Sequence, residues 1–120
     1  MSTTVNGREK RAVFTKTANY TVVADDDNGK SFSTEGASGA VTFALPAATV
    51  GQWYRFYVGA AQELRIDPNG TETIGLPSSG AQQAAGAYIT ADAAGECVEI
   101  QCVKAGQWNI NRYIGTWTAV

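Results

Sequence analysis

The sequence predicts an all-β fold: an antiparallel β-sandwich or barrel, jelly-roll-like, with nine or ten short strands. Three observations carry that prediction. From Tyr20 onward apolar residues recur at every second position rather than every 3.6. Clusters of Gly, Asn, Asp and Pro interrupt these runs about every ten residues, the spacing of sandwiches and barrels. No segment keeps a helical period over the roughly ten to twelve residues that an amphipathic helix needs.

The elements follow in order. Tyr20, Val22 and Ala24 alternate with Thr21 and Val23, and Asp25-Asp26-Asp27-Asn28-Gly29 then turns the chain, because Asn-Gly accepts positive φ cheaply. Ser31 to Thr34 is a short strand around Phe32. In Ala40 to Leu45, Val41, Phe43 and Leu45 share a face, and Pro46 closes the strand because it has no N–H for a ladder. Trp53 to Val58 is the strongest strand. Tyr54, Phe56 and Val58 face one way and Trp53, Arg55 and Tyr57 the other, so the strand is covered on both sides or faces a partner. Leu64 and Ile66 form a strand ended by the turn Asp67-Pro68-Asn69-Gly70, and Thr71 to Ile74 is expected to pair back across it. Gly75 to Gly86 is a long loop whose one core anchor is Leu76. Tyr88 to Thr90, Glu96 to Val103, Trp108 to Arg112 and Thr116 to Ala119 complete the strands, with Val98, Ile100 and Cys102 on one apolar face.

Residues 1–18 precede this pattern and are expected to form an extended N-terminal arm before an all-β domain at 19–120. Arg8, Lys10, Arg11 and Lys16 against Glu9 give residues 1–16 a charge of +3, whereas five bases and ten acids leave residues 17–120 at −5. At 120 residues the chain suits one domain. Its 19 Ala and 13 Gly bury little area each, so the core must lean on Tyr20, Phe32, Phe43, Phe56, Trp108 and Trp117. Association into an oligomer would bury more.

Composition also excludes functions. Charged residues at 17% with 44% hydrophobic residues argue against disorder. No apolar run approaches the roughly 20 residues of a membrane-spanning helix, and Met1 to Lys16 lacks the apolar core of a signal peptide. Histidine is absent, which removes the commonest general base and metal ligand. Cys97 and Cys102 lie on opposite faces of one strand and are expected as free thiols. Counting from Asp25, position twelve of a calcium loop is Gly36 rather than Glu, so the acidic turn is expected to be a solvated one. Nothing pairs Glu63, Asp67, Glu72, Glu96 or Glu99 as a glycosidase would require, and no Gly-rich loop leads into a helix. Trp53, Arg55 and Tyr57 have the composition of a base-stacking platform, but a domain charge of −5 opposes phosphate binding. No enzyme, cofactor, metal, small-molecule substrate, nucleic acid or membrane is expected.

Several runs together resemble a module of tailed-bacteriophage structural proteins. They are Tyr20-Thr21-Val22 with an acidic turn and Gly29-Lys30, the stretch Gly36 to Ala47 (GASGAVTFALPA), and Gly51 to Val58. Gln62 to Pro68, Thr73-Ile74, and a closing part from Gly95 to Trp117 with Cys-Val-x-x-Gly-x-Trp and Gly-Thr-Trp complete the set. The similarity covers roughly residues 19–118. It implies a virion structural protein, assembled in the host cytoplasm, either a capsid decoration (cement) protein or a module of a tail or head fibre. The 120 residues show no collar, coiled coil or trimerisation stalk, which favours decoration. The expected partners are the major capsid protein and two further copies in a homotrimer. Arg8, Lys10, Arg11, Val13, Phe14 and Lys16 are the candidate capsid contacts; Trp53, Tyr57, Trp117 and Val120 are the candidate oligomer interface. A fibre module would instead bind a host receptor or glycan, through Trp53, Tyr57 and the loop around Gln82-Gln83.

Overall fold

The alternation of apolar residues along the chain builds two β-sheets that enclose one core, with a single helical turn. The structure, a computed structural model, describes residues 12–120. In chain order the elements are β1 (Val13–Thr15), β2 (Tyr20–Thr21), α1 (Ala24–Asp27), β3 (Ser31–Ser33), β4 (Val41–Ala44), β5 (Trp53–Tyr57), β6 (Leu64–Asp67), β7 (Thr73–Ile74), β8 (Ile89–Ala91), β9 (Cys97–Lys104), β10 (Gln107–Ile114) and β11 (Thr118–Ala119). Among the described residues that is eleven strands, and β2, β7 and β11 are only two residues long.

The all-β expectation agrees with this structure. The expectation of purely antiparallel pairing does not. One sheet has the order β1-β3-β5-β9-β10-β7 and the other β11-β8-β6-β4-β2. From β1 to β6 successive strands alternate between the sheets, and each pairs in parallel with the strand two further on. The first half is therefore a coil of three rungs, each with one strand in either sheet. β5 with β9, β9 with β10, β6 with β8, and β8 with β11 then add antiparallel pairs. A jelly-roll path cannot be drawn through the parallel rungs. Parallel neighbours need a crossover connection, and here the strand in the opposite sheet supplies it.

The rungs are in register. Phe14 lies beside Phe32 and Phe32 beside Phe56 in one sheet, and Tyr20 beside Phe43 and Phe43 beside Ile66 in the other. The two ladders meet in the core, where the Phe32 and Phe43 rings are 5.3 Å apart. Phe32, Phe43, Phe56, Trp108 and Trp117 are buried as the apolar pattern predicts, and Tyr20 packs against them half-buried. Strand β4 ends ahead of Pro46, as expected.

Three local expectations are corrected. The acidic run, expected as a solvated turn, is the helical turn α1 with Asp25 and Asp26 exposed, but Asp27 is buried with its carboxylate tied to Tyr20, Val23 and Lys30. Thr73–Ile74 pairs with β10 in the other sheet, not with β6. Loop 75–86 is held by buried Pro77 and by Gln82, whose amide bonds Thr73 Oγ1 at 2.6 Å and the Trp108 carbonyl at 2.9 Å; Leu76 is only half-buried. Within residues 1–18, expected as an extended arm, Val13–Thr15 is a strand paired to β3.

Two glycines permit close approaches. Gly29 has φ +79°, and a Cβ there would lie 3.4 Å from the Trp53 indole, so the Asn28-Gly29 turn can pack on the start of β5. The Asn28 side chain completes that contact by accepting from the Trp53 N–H at 3.0 Å. Gly59 ends β5 against the chain at 33–35, where a Cβ would stand 2.7 Å from Glu35 Cα and also meet the Glu35 nitrogen. Backbone cannot step aside as a side chain can. Gly59→Ala is expected to cost about 1–3 kcal/mol as an overpacked site does. Gly39→Ala, with open space around its added methyl, should stay within about 0.5 kcal/mol of wild type. Urea denaturation of both variants checks this, and equal midpoints would contradict it.

Candidate functional site

Two surfaces combine exposure with organised side chains. The first is the open end of the coil, where β1 and β2 are edge strands of their sheets. Ser31 N–H donates to the Ala12 carbonyl at 3.1 Å and Lys16 N–H to the Ser33 carbonyl at 2.9 Å. By strand alternation the Val13 and Thr15 peptide groups therefore point away from β3, as an unpaired edge does. Val13 is 58% and Phe14 37% exposed. Phe14 leans on Phe32 with ring centroids 6.4 Å apart, and Lys30 Nζ lies 4.3 Å from the Phe14 centroid. Lys16 Nζ caps Tyr20 at 3.9 Å. Arg8, Lys10 and Arg11, the remaining candidate capsid contacts, lie outside the described residues.

The second surface is the outer face of the six-stranded sheet. Strand alternation turns Trp53, Arg55 and Tyr57 outward on β5 and Glu99 and Gln101 outward on β9. Register places Arg55 beside Glu99 and Glu99 beside Arg112, with Tyr57, Cys97 and Ile114 in the next row. The placing of Arg112 depends on an irregularity in β10. Ile110 pairs with Ile100 and Arg112 with Glu99, so Asn111 is an extra, bulged residue. Without it Arg112 would pair one position later, on the face that turns to the core.

Hydrogen bonds hold this face together. Arg55 donates Nε to Glu99 Oε1 at 3.1 Å and Nη2 to the same oxygen. Asn111 Nδ2 donates to Glu99 Oε2 at 3.2 Å and to Gln101 Oε1 at 3.1 Å. Burial pushes the Glu99 carboxyl upward, but the bonds from Arg55 and Asn111 and the charges of Arg55 and Arg112 outweigh it and hold the group below its ordinary range. The Cys97 thiol, buried at one end of this face, is pushed up by desolvation. Arg55, Glu99 and Arg112 are common to two adjoining depressions of about 260 and 130 Å³, walled by Trp53 at one end and by Tyr57 and Ile114 at the other.

The candidate interface residues do not come together. Trp53 and Tyr57 share the outer face, half-buried. Trp117 is in the core, where its indole N–H donates to the Cys97 carbonyl at 3.1 Å, so it presents no surface. Val120 is 62% exposed beyond β11, and its peptide pairs with that of Tyr88. Gln82 and Gln83 sit beside β7 and β10, and Gln82 is engaged in holding its own loop. Arg112 and Asn111 are the site residues that the sequence did not single out. The available signal was the polar run Asn109 to Arg112 at the end of a strand.

A third depression, of about 180 Å³, is lined by Glu63, Asp92, Glu96 and threonines. Glu96 accepts from the Ala93 and Thr116 N–H groups, and Glu63 pairs with Arg65. Glu72 likewise accepts from the Ala48 N–H. Among the described residues no three His, Cys, Asp or Glu side chains are grouped to hold a metal ion. No family model matches this chain, and a search of the curated proteins finds no match.

Proposed function

We propose that this chain is a capsid decoration (cement) protein of a tailed bacteriophage, which binds the outer shell as a homotrimer and stabilises it. In this reading the two sheets are a sandwich whose surfaces, rather than any reaction centre, do the work. The observation that carries the proposal is the open end of the coil. There β1 and β2 are the edges of their two sheets, with apolar Val13 and Phe14 on show, and in the sequence Arg8, Lys10 and Arg11 against Glu9 put a charge of +2 just ahead of β1. An unpaired edge next to a positive segment suits strand addition to an acidic partner surface. Three copies on a local threefold axis engage three capsid subunits at once, so modest contacts combine through effective concentration. The sequence runs quoted above supply the virion context.

The test is sedimentation with undecorated shells of the phage that encodes the chain. Wild-type protein is expected to pellet with them. R8E/K10E/R11E reverses the charge of residues 1–16 from +3 to −3, and Val13→Pro removes an outward N–H while leaving the β1–β3 bonds in place. Each is expected to weaken co-sedimentation at least tenfold. Wild-type protein that stays in the supernatant, or that imaging places on a fibre, overturns the proposal. The fibre alternative draws its support from the aromatic and charged outer face of the six-stranded sheet.

A further inference from the structure

We propose that the outer face of β5, β9 and β10 is a binding site for an acidic saccharide, in which the bulge-placed Arg112 takes the sugar carboxylate. The proposal does not depend on where the protein sits in a particle.

The charges are unequal. Arg55 and Glu99 neutralise each other, while among the described residues Arg112 has no ion pair. The central row therefore carries one net positive charge, beside a depression of about 260 Å³. Its hydrogen-bonding capacity is also unequal. Glu99 accepts at both oxygens and Gln101 accepts from Asn111, so the best acceptors are already engaged. The Arg112 guanidinium remains as a planar donor suited to a carboxylate. A β-bulge that re-aims a single side chain is a recurrent feature beside binding sites, and here the side chain that it re-aims is this cation.

The ends of the groove select the rest of the ligand. Trp53 and Tyr57 stand four residues apart on one strand, roughly 13 Å at about 3.3 Å per residue, a span that takes two or three pyranose rings. Their rings give apolar walls on either side of the charged row. A peptide fits less well. β5 and β9 are interior strands, and β7 covers β10 at Gln107 and Trp108, so strand addition could use only the outer edge of β10 at 109–114, which borders this face and does not cross it. Each peptide residue would also bring an N–H donor to a face whose one carboxylate is already engaged by Arg55 and Asn111. Sugar hydroxyls accept as readily as they donate.

Titration calorimetry at low salt with the full chain tests this, using trigalacturonate as probe and maltotriose as its neutral counterpart. Trigalacturonate is expected to bind at least tenfold more tightly than maltotriose. Arg112→Ala should remove that preference, Arg112→Lys should retain part of it, and Tyr57→Ala should weaken both sugars. Arg112 is exposed, and an unchanged melting temperature in its variants verifies the fold. No binding of trigalacturonate at millimolar concentration overturns the site. Equal binding by Arg112→Ala overturns the role of the arginine, and equal binding of a tetraglutamate peptide overturns the saccharide.

Discussion

Phe32→Ala is expected to lower the unfolding free energy by about 3–5 kcal/mol, the range for truncating a buried phenylalanine. Phe32 has no exposed surface and touches both aromatic ladders. Its ring stacks on Phe56 at 5.6 Å and 17°, and meets Tyr20 at 5.6 Å, Phe43 at 5.3 Å and Phe14 at 6.4 Å. Through it, as through Phe43, three rungs and two sheets make contact. A side chain with neighbours on every side cannot be replaced by local collapse, so the cavity persists and the cost falls high in the range. Domains of this size are stable by about 5–15 kcal/mol, so the variant should sit near its folding limit. Urea denaturation measures the loss. A deficit under about 1.5 kcal/mol would mean that the rungs are not held by this cluster.

Asp27→Ala should cost about 2–4 kcal/mol, because it strands several polar groups together. Asp27 Oδ2 accepts from the Tyr20 hydroxyl at 2.7 Å and the Val23 N–H at 2.8 Å, and Oδ1 pairs with Lys30 at 3.3 Å. One carboxylate thus links β2, the start of α1 and the approach to β3. Burial opposes its ionised form, yet the Val23 N–H, the Tyr20 hydroxyl and the Lys30 ammonium prevail and hold its pKa below the ordinary value. A lowered carboxyl pKa gives stability that is complete above the unfolded value of about 3.9 and is lost as pH falls through the folded one. The alkaline side runs the other way. Tyr20 is pushed up to about 12, first by its bond to Asp27 and then by burial. Its contribution is complete below about 10 and is lost as pH rises towards the folded value. Asp27→Asn should therefore trail wild type most at neutral pH and converge with it in acid, and in Asp27→Ala the Tyr20 hydroxyl should ionise nearer 10. Urea midpoints across pH and tyrosinate absorbance follow the two effects. A gap that is constant from pH 2 to 7 would show that the carboxylate charge contributes nothing.

Much of the strand map was legible in the residues. Val41, Phe43 and Leu45, or Tyr54, Phe56 and Val58, can alternate only as strands with one face buried, and those faces are the core. The same alternation put Cys97 and Cys102 on opposite faces and Trp53, Arg55 and Tyr57 on the outside. Pairing was less legible. Asn28-Gly29 has the chemistry of a hairpin turn, but here it carries the chain from one sheet to the other. A clue was present, since Tyr20, Phe43 and Ile66 recur every 23 residues and lie side by side in parallel strands. The buried role of Asp27 was hidden because three successive acids suggest water, and only the arrival of Tyr20 and Lys30 gives one of them partners. Trp117 was expected both in the core and at an oligomer interface, and the fold takes it into the core.

The residues by themselves determined the all-β character, the positions of most strands and which face of each is apolar, because side-chain alternation is a local property of extended backbone. Tertiary structure alone decided that the first six strands coil in parallel between two sheets, and that Arg112 stands opposite Glu99. Pairing partners and register depend on contacts between residues far apart in the chain, and one bulged residue is enough to exchange the face on which a charge appears.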